Sequence, residues 1–223
     1  MNELTLIIPT KNEAESLPIV LNELKKYNYK TDIVLHATDI DTIQAIKKYE
    51  VNIVYQENFG YGDALIHGIK QCKTKYFCIF NADGSFNPSE IKKMYEALQA
   101  KKLDFIFASR YQASSGSEDD TIITLVGNYI FTYIGKIFFR LNISDILYTF
   151  IIGKTKQANI LDLKQKDFSF CVELPIKAKF SNFKLSSLAS HERPRIAGVK
   201  KVNEFKDGFL ILISIIRILL FRK

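Results

Sequence analysis

The sequence is poor in cysteine, with Cys72, Cys78 and Cys171 as the three cysteines among 223 residues. Their number is odd, their spacing is wide, and Cys78 lies inside an apolar run. The pattern therefore predicts neither a disulfide framework nor a CxxC metal site. Reduced, buried thiols are typical of cytosolic proteins, so we expect the folded part of this chain to face the cytoplasm.

The sequence also lacks an uninterrupted transmembrane run. An acidic residue precedes the first apolar segment and no small-residue cleavage site follows, so a secretory signal is not expected. Segment 122–141 is long enough to cross a bilayer, but Asn128, Lys136 and Arg140 would be costly in hydrocarbon. We expect this segment to lie at a membrane interface or against the protein core.

The final apolar stretch, 209–221, is too short to span a bilayer. It has 13 residues, and a spanning helix needs roughly 20. Arg222 and Lys223 follow it, so the sequence predicts an interfacial helix whose cations meet anionic headgroups. An ordinary C-terminal helix docked on the domain is the alternative.

Positive charge is in excess, with 31 lysines and arginines against 24 acidic residues and a net charge of +7. Such a balance favours anionic partners, namely nucleotides, phosphates, nucleic acid or an acidic lipid surface. The basic residues are not interleaved with aromatic residues in the manner of a nucleic-acid groove. We therefore expect no nucleic-acid partner.

Short apolar runs alternate with segments of helical spacing through the first half of the chain. The runs are 4–9, 32–36, 52–55, 76–80 and 104–108. This alternation predicts an α/β fold with a mostly parallel sheet flanked by helices. Ligands of such sheets bind at the carboxyl ends of the strands. We predict one domain over 1–205 and a membrane-associating helix over 206–223.

The turn that follows run 76–80 contains Asn81 and Asp83. A carboxylate at the end of a buried strand is a common site for a metal ion and a bound phosphate. Asp83 can supply one carboxylate to Mg²⁺ or Mn²⁺, while phosphates and water complete the coordination shell. The Asn81 amide can offer a carbonyl oxygen to the metal or bond a ribose hydroxyl. A plain turn is the alternative.

Two earlier turns are also placed to contact a nucleotide. Pro9 ends the first predicted strand, and the polar residues from Thr10 to Glu13 can hydrogen-bond a nucleobase and ribose. Gly60 and Gly62 precede a predicted helix, where glycines permit close backbone approach and free N–H groups can bind phosphate. Taken singly, each pattern is also compatible with an ordinary turn.

A basic segment near the C-terminus completes the set. Arg195, Gly198 and Lys201 lie within 190–201. An arginine can bind a phosphate through two N–H groups, and a lysine offers a flexible point charge. Between these segments, 113–120 is rich in serine, glycine and acids, which predicts a mobile surface loop or a lid.

Five segments together resemble the family 2 glycosyltransferases of the GT-A fold, in particular the dolichyl- and polyprenyl-phosphate mannose and glucose synthases. They are the four just described, at 7–13, 56–68, 81–83 and 190–201, and segment 36–41, which follows the second predicted strand and contains Asp39 and Asp41. The resemblance implies that Asp39 contacts the donor base, that Asp83 belongs to the metal-binding D-x-D motif, and that Arg195 and Lys201 act on phosphates. It also implies an acid near the acceptor, for which Asp145 is the candidate base and Glu173 the second choice. The chain departs from the family at His36, Tyr61, Asn81 and Lys200.

The resemblance implies an inverting transfer of a sugar from a UDP- or GDP-sugar, with Mg²⁺ or Mn²⁺ as cofactor. The expected acceptor is a polyprenyl phosphate, such as undecaprenyl or dolichyl phosphate, at the cytoplasmic face of a membrane. A saccharide hydroxyl as acceptor, an inactive nucleotide-binding relative and a nucleotide-sugar hydrolase remain open. A nucleotidyltransferase is disfavoured because no glycine-rich phosphate loop follows the first predicted strand.

Overall fold

A seven-stranded mixed sheet forms the centre of the computed structural model, which describes residues 3–198 and 200–221. The strand order is β3-β2-β1-β4-β7-β5-β8. Only β7 runs antiparallel to its neighbours, β4 and β5. The strands are β1 Leu4–Pro9, β2 Lys30–Leu35, β3 Asn52–Tyr55, β4 Tyr76–Ile79, β5 Phe105–Ser109, β7 Ile151–Lys154 and β8 Leu185–Ala189.

A small parallel pair, β6 Gly116–Ser117 and β9 His191–Glu192, lies outside the main sheet. The helices are α1 Ser16–Leu24, α2 Ile40–Ile46, α3 Tyr61–Gln71, α4 Ser89–Ala100, α5 Ile122–Phe139, α6 Thr155–Asn159, α7 Phe170–Phe180 and α8 Glu204–Phe221. The mostly parallel sheet flanked by helices confirms the predicted fold class. Strands β7 and β8 lie where the periodicity predicts none.

The sheet has a hydrophobic core on each face. Along β1, Ile7 packs into one core, whereas Leu6 and Ile8 pack into the other. Successive side chains of a strand point to opposite faces, so a strand covered on both sides must be apolar throughout. This requirement explains the continuous apolar runs in the sequence.

Helix α8 packs on the domain and is partly exposed. It begins at Glu204, so the predicted boundary between residues 205 and 206 falls inside the helix. Ile211, Ile215 and Ile218 are buried in the core that also contains residues of α5 and α7. Within the described part of the chain, α5 is the one helix long and apolar enough to cross a membrane by length and composition, and 22% of its 18 residues are buried.

Candidate active site

A cavity of about 510 Å³ opens where β1, β2 and β4 end at their carboxyl edge. The lining combines the turns after these strands with the segments around Asp119, Phe168 and Arg195. Parallel neighbouring strands place their carboxyl ends at one sheet edge, which brings turns distant in sequence together. The predicted site residues that line the cavity are Pro9, Thr10, Glu13, Asp39, Gly60, Asn81, Asp83, Arg195 and Lys201.

Asp39 and Glu13 connect the first two strand-end turns. The Asp39 carboxylate accepts a hydrogen bond from the backbone N–H of Asn12 at 2.7 Å and caps α2 through the N–H of Thr42 at 3.4 Å. Glu13 is buried, accepts the Ser16 hydroxyl at 2.5 Å, and lies 3.4 Å from the Lys201 Nζ. The Glu13 N–H also donates to the Thr42 hydroxyl at 3.0 Å, and this bond with the Asn12–Asp39 bond joins the two turns into a common frame.

A pair of stacked rings forms part of the cavity wall beside that frame. The rings of His36 and Phe59 stack with their centroids 4.1 Å apart, and both side chains line the cavity. Phe59 is exposed, although it is a large apolar side chain. Sequence reasoning missed Phe59, because an aromatic residue before a glycine turn carries no signal of its own.

The turn after β4 gives its two polar residues different roles. The side-chain Oδ1 of Asn81 accepts the backbone N–H of Phe86 at 3.3 Å, and the side-chain NH₂ of Asn81 donates to the Ser85 hydroxyl. Asn81 is therefore engaged in shaping its own turn. The Asp83 Oδ1 accepts the N–H of Ser85 at 3.0 Å, while Oδ2 faces Arg195 at 3.6 Å.

The oxygen ligands of this turn fit a divalent ion that is coordinated mainly by substrate phosphates and water. Residues 3–198 and 200–221 contain no group of three or more His, Cys, Asp or Glu side chains placed to hold a metal. Mg²⁺ characteristically takes one or two protein carboxylates and fills its shell with water and substrate phosphates. The Asp83 Oδ2 meets that requirement, whereas the amide of Asn81 already bonds within its turn.

The segment 193–198 crosses the Asp83 turn and is held there by its backbone. Arg193 and Ile196 donate their backbone N–H groups to the carbonyl oxygens of Ser85 and Asp83, both at 2.8 Å. Gly84 has a φ of +83°, and a Cβ there would come within 2.2 Å of the Ile196 side chain. The turn therefore needs glycine at 84, and the crossing segment delivers Arg195 to the cavity.

Gly60 and Gly62, which the sequence predicts to contact a phosphate, pack closely against segment 165–167. A Cβ on Gly60 would lie 2.1 Å from the Lys166 carbonyl oxygen, and one on Gly62 would lie 2.1 Å from that of Gln165. The N–H of Asp63, in the first turn of α3, donates to the Lys166 carbonyl at 3.0 Å. These glycines thus permit close approach of segment 165–167, and Gly62 does not line the cavity.

Substituting Gly62 with alanine is expected to destabilise this junction by about 1–3 kcal/mol, because the new methyl group overlaps backbone that cannot rotate away. Urea unfolding measures the change. Gly127→Ala in α5 is the matched control, since a Cβ there meets no atom within 4 Å. The control should gain up to about 1 kcal/mol from helix propensity. An equal change in the free energy of unfolding for the two variants would contradict the contact between Gly62 and segment 165–167.

Asp145 is not placed as a general base. Its side chain has 0% exposure and lies outside the residues that line the cavity. Its carboxylate accepts two hydrogen bonds from the Arg110 guanidinium, at 2.8 and 3.1 Å, and one from the Arg110 backbone N–H at 3.1 Å. The Tyr148 N–H and the Asn128 amide complete its environment. An acid so fully bonded anchors structure and has no free oxygen for an acceptor proton.

Arg110 is the centre of that buried network. Its guanidinium also pairs with Glu192 at 3.1 Å and with Asp120 at 3.3 Å. Burial by itself would lower the pKa of Arg110, but the Asp145 carboxylate raises it well above its ordinary value. Arg110 is therefore a permanent cation that ties β5 to the loop before α5 and to β9.

Glu173, the second candidate base, also has a structural role. It is buried, accepts the backbone N–H groups of Lys164 and Gln165 at 2.9 Å, and pairs with Lys177 at 2.8 Å. Glu173 therefore fixes segment 164–167, which packs against Gly60 and Gly62. Sequence reasoning missed the two residues that this segment places in the cavity, Asp167 and Phe168.

Residues 5–159 match the family model described as glycosyl transferase family 2. The chain belongs to this family. The match covers β1 from its second residue, the Asp83 turn, Arg110 and β7, and it confirms the predicted family resemblance. The protein is thus a glycosyltransferase. Its use of nucleotide sugars is assigned from the family.

Curated relatives match nearly the whole transferase. An uncharacterised protein from Methanocaldococcus jannaschii is 26% identical over 223 residues, which span 96% of this chain and 91% of the relative. An uncharacterised glycosyltransferase from Mycobacterium tuberculosis is 25% identical over 211 residues, with 94% of each chain covered. Similarity to these relatives therefore extends beyond the region that the family model matches.

A solved structure shares the fold of the transferase. It is glucosyl-3-phosphoglycerate synthase from Mycobacterium tuberculosis, in complex with Mn²⁺, UDP-glucose and phosphoglyceric acid. The TM-score is 0.77 at 10% identity, with 98% of this chain and 80% of that chain covered. At this identity the likeness shows the fold, and it confirms the predicted GT-A architecture.

Proposed function

We propose that the transferase moves a sugar from a UDP- or GDP-sugar to the phosphate group of a polyprenyl phosphate, with inversion at the anomeric carbon. The observation that carries this proposal is the pairing of Asp83 with Arg195 across the cavity, 3.6 Å apart. A carboxylate for a divalent ion and a guanidinium for a phosphate lie together at the sheet edge. The structurally similar synthase was solved with both Mn²⁺ and UDP-glucose.

In the proposed reaction, an acceptor oxygen bonds to the anomeric carbon as the bond from that carbon to the diphosphate oxygen breaks. The electron pair of the broken bond leaves on the nucleoside diphosphate, and a single displacement inverts the carbon. Arg195 and Lys201 stabilise the negative charge that develops on the leaving group. Mg²⁺ or Mn²⁺, held by Asp83, would supply further neutralisation of the diphosphate.

The carboxylates of the cavity favour an acceptor that needs no strong base. Glu192 and Asp120 pair with Arg110, and Asp119 pairs with Arg195. Asp39, Asp167 and Asp207 pair with no cation in the described ranges, but each accepts a backbone N–H at 2.7 Å, from Asn12, Ser169 and Asn203 respectively. A phosphate oxygen is already anionic near neutral pH, so it can attack without giving up a proton.

The apolar surface formed by α5 and α8 supports a lipid-linked acceptor. Its exposed members are Ile122, Ile123, Val126, Tyr129, Ile130, Tyr133, Ile137 and Phe138 on α5, and Phe205, Phe209, Leu212, Ile216, Leu220 and Phe221 on α8. Thr124 and Asp207, in the first turns of these helices, line the cavity. The cavity therefore opens beside the apolar surface.

The charges around the apolar surface match an anionic membrane. Lys136, Arg140 and Arg217 are exposed on or directly beside the two helices. The acids of α8, Glu204 and Asp207, are confined to its first turn. Exposed apolar side chains with flanking cations are typical of helices that lie in a membrane interface. We propose peripheral binding at the cytoplasmic face of the membrane.

Replacing Phe209 and Ile216 with glutamate should weaken binding to vesicles containing anionic lipid by about tenfold or more, because two inserted side chains become charged. Co-sedimentation with phosphatidylglycerol-containing vesicles measures the effect. The matched control replaces Ile40 and Ile160, which are exposed outside the apolar surface, with glutamate. If both double variants sediment like the unmodified protein, α8 does not insert into the membrane as proposed.

The acceptor is tested directly with purified protein, Mg²⁺ or Mn²⁺, and a panel of UDP- and GDP-sugars. Undecaprenyl phosphate, dolichyl phosphate, 3-phosphoglycerate and a set of saccharides are supplied separately, and products are identified by mass spectrometry. The proposal predicts a glycosylated polyprenyl phosphate. Transfer to 3-phosphoglycerate or to a saccharide alone would overturn the lipid acceptor and retain the transferase. Hydrolysis of the donor alone would indicate a nucleotide-sugar hydrolase, and no turnover at all would indicate an inactive nucleotide-binding relative.

A further inference from the structure

Two arginines line the cavity, and each is already paired with carboxylates. Arg110 is enclosed by the buried network described above, and its side chain is 9% exposed. Arg195 instead pairs with Asp119, at 2.8 Å from Nη2 to Oδ2 and 3.3 Å from Nε to Oδ1. Arg195 is thus the guanidinium that can exchange one anionic partner for another. In the free protein that partner is the Asp119 carboxylate.

We propose that Asp119 is an internal competitor of the donor, which occupies Arg195 in the free protein and is displaced by the donor diphosphate. This inference rests on the proposed function. Two parallel N–H···O bonds from a guanidinium suit a carboxylate and a phosphate equally well. Asp119 therefore occupies the contact that the diphosphate needs and sets the affinity for the donor.

The pair is accessible enough to be exchanged. The side chains of Arg195 and Asp119 are 21% and 24% exposed, and both line the cavity. The hydrogen bond to Asp119 raises the pKa of Arg195, so the guanidinium remains charged and can bind another anion. Partly exposed pairs of this kind contribute little net free energy, which makes displacement by a multiply charged diphosphate feasible.

The loop that carries Asp119 is anchored without its carboxylate. The Ser117 hydroxyl oxygen accepts the backbone N–H groups of Asp119 at 3.2 Å and of Asp120 at 3.0 Å. The Glu118 N–H donates to the Glu192 carbonyl at 3.0 Å, and β6 pairs with β9. Neutralising the Asp119 side chain therefore leaves the backbone attachments in place.

Asp119→Asn is the test, with Glu118→Gln as the matched control. Glu118 is on the same loop and loses the same charge, but its partner is His191, at 2.8 Å. Calorimetry in the presence of Mg²⁺ measures the Kd of UDP, GDP and inorganic pyrophosphate, the last as a probe independent of the base. For the ligands that bind, we expect the Kd to fall roughly 3- to 10-fold in Asp119→Asn. The control should stay within about twofold of the unmodified protein, because the Glu118 carboxylate pairs with His191 and does not occupy Arg195.

The outcomes separate this inference from the proposed function. If none of the three probes binds the unmodified protein, the proposed function fails. If they bind it and the Kd is unchanged or higher in Asp119→Asn, the competitor role is wrong. The same substitution in an Arg195→Ala background provides a second measurement. The gain in affinity should vanish there, and its persistence would show that Asp119 acts without Arg195.

Discussion

Asp83→Ala is expected to lower the rate of sugar transfer by about a thousandfold or more. Asp83 is the cavity carboxylate whose Oδ2 faces the arginine of the proposed phosphate site, at 3.6 Å. Loss of this carboxylate removes the proposed protein ligand of the divalent ion. The initial rate of product formation at saturating donor, with and without Mg²⁺ or Mn²⁺, measures the effect.

Two further variants separate chemistry from structure at this position. Asp83→Asn can still accept the Ser85 N–H through its carbonyl oxygen, so it preserves the turn and removes the charge. The transfer rate of Asp83→Asn should fall as far as that of Asp83→Ala if transfer requires the negative charge of the side chain. Asp41→Ala, in the first turn of α2 and outside the cavity lining, should remain active. A rate within about tenfold of normal in both Asp83 variants would remove Asp83 from the catalytic machinery.

Asp145→Asn is expected to destabilise the folded protein by about 3–5 kcal/mol, since it leaves the buried guanidinium of Arg110 without its main counter-ion. The guanidinium donates two hydrogen bonds to the carboxylate, and the acid has 0% exposure. An asparagine can present only one oxygen and no charge to this cluster. The free energy of unfolding in urea, measured at neutral pH, tests the expectation.

The measurement also separates an anchor from a general base. An anchor predicts a large loss of stability, with residual transfer by the fraction that stays folded at low temperature. A base predicts normal stability and a large loss of kcat. Asp120→Asn is the control, because Asp120 contacts the same guanidinium only at 3.3 Å and is 12% exposed. Its effect on stability should be clearly smaller than that of Asp145→Asn, and the reverse order would refute the network as described.

Sequence reasoning succeeded where one local segment carries the information. The apolar run that leads into Asp83 predicts β4 and a polar turn at its end, and both are present. Pro9 likewise ends β1, Asp39 follows β2, and both line the cavity. Each assignment needs only the rule that buried parallel strands are apolar and that their carboxyl ends share one edge.

The sequence does not show which residues are held by a partner that is distant along the chain. Gly60 and Gly62 have the pattern of a phosphate turn, but the group that approaches them is the backbone of 165–167, far along the chain. The family resemblance makes Asp145 the candidate base and Glu173 the second choice. In the structure, Arg110 binds the first, and the Lys164 and Gln165 amides bind the second.

The sequence by itself determined the α/β fold and the sheet edge at which the cavity forms, because apolar periodicity and strand-end turns are local properties of the chain. The resemblance of its motif segments indicated the family. Only the tertiary structure decided which charges remain open to a ligand. Asp145 is neutralised by Arg110, Arg195 is shared between Asp83 and Asp119, and all of these contacts join separate loops. Coulombic and hydrogen-bond partners depend on distances in space, and the order of residues along the chain does not specify them.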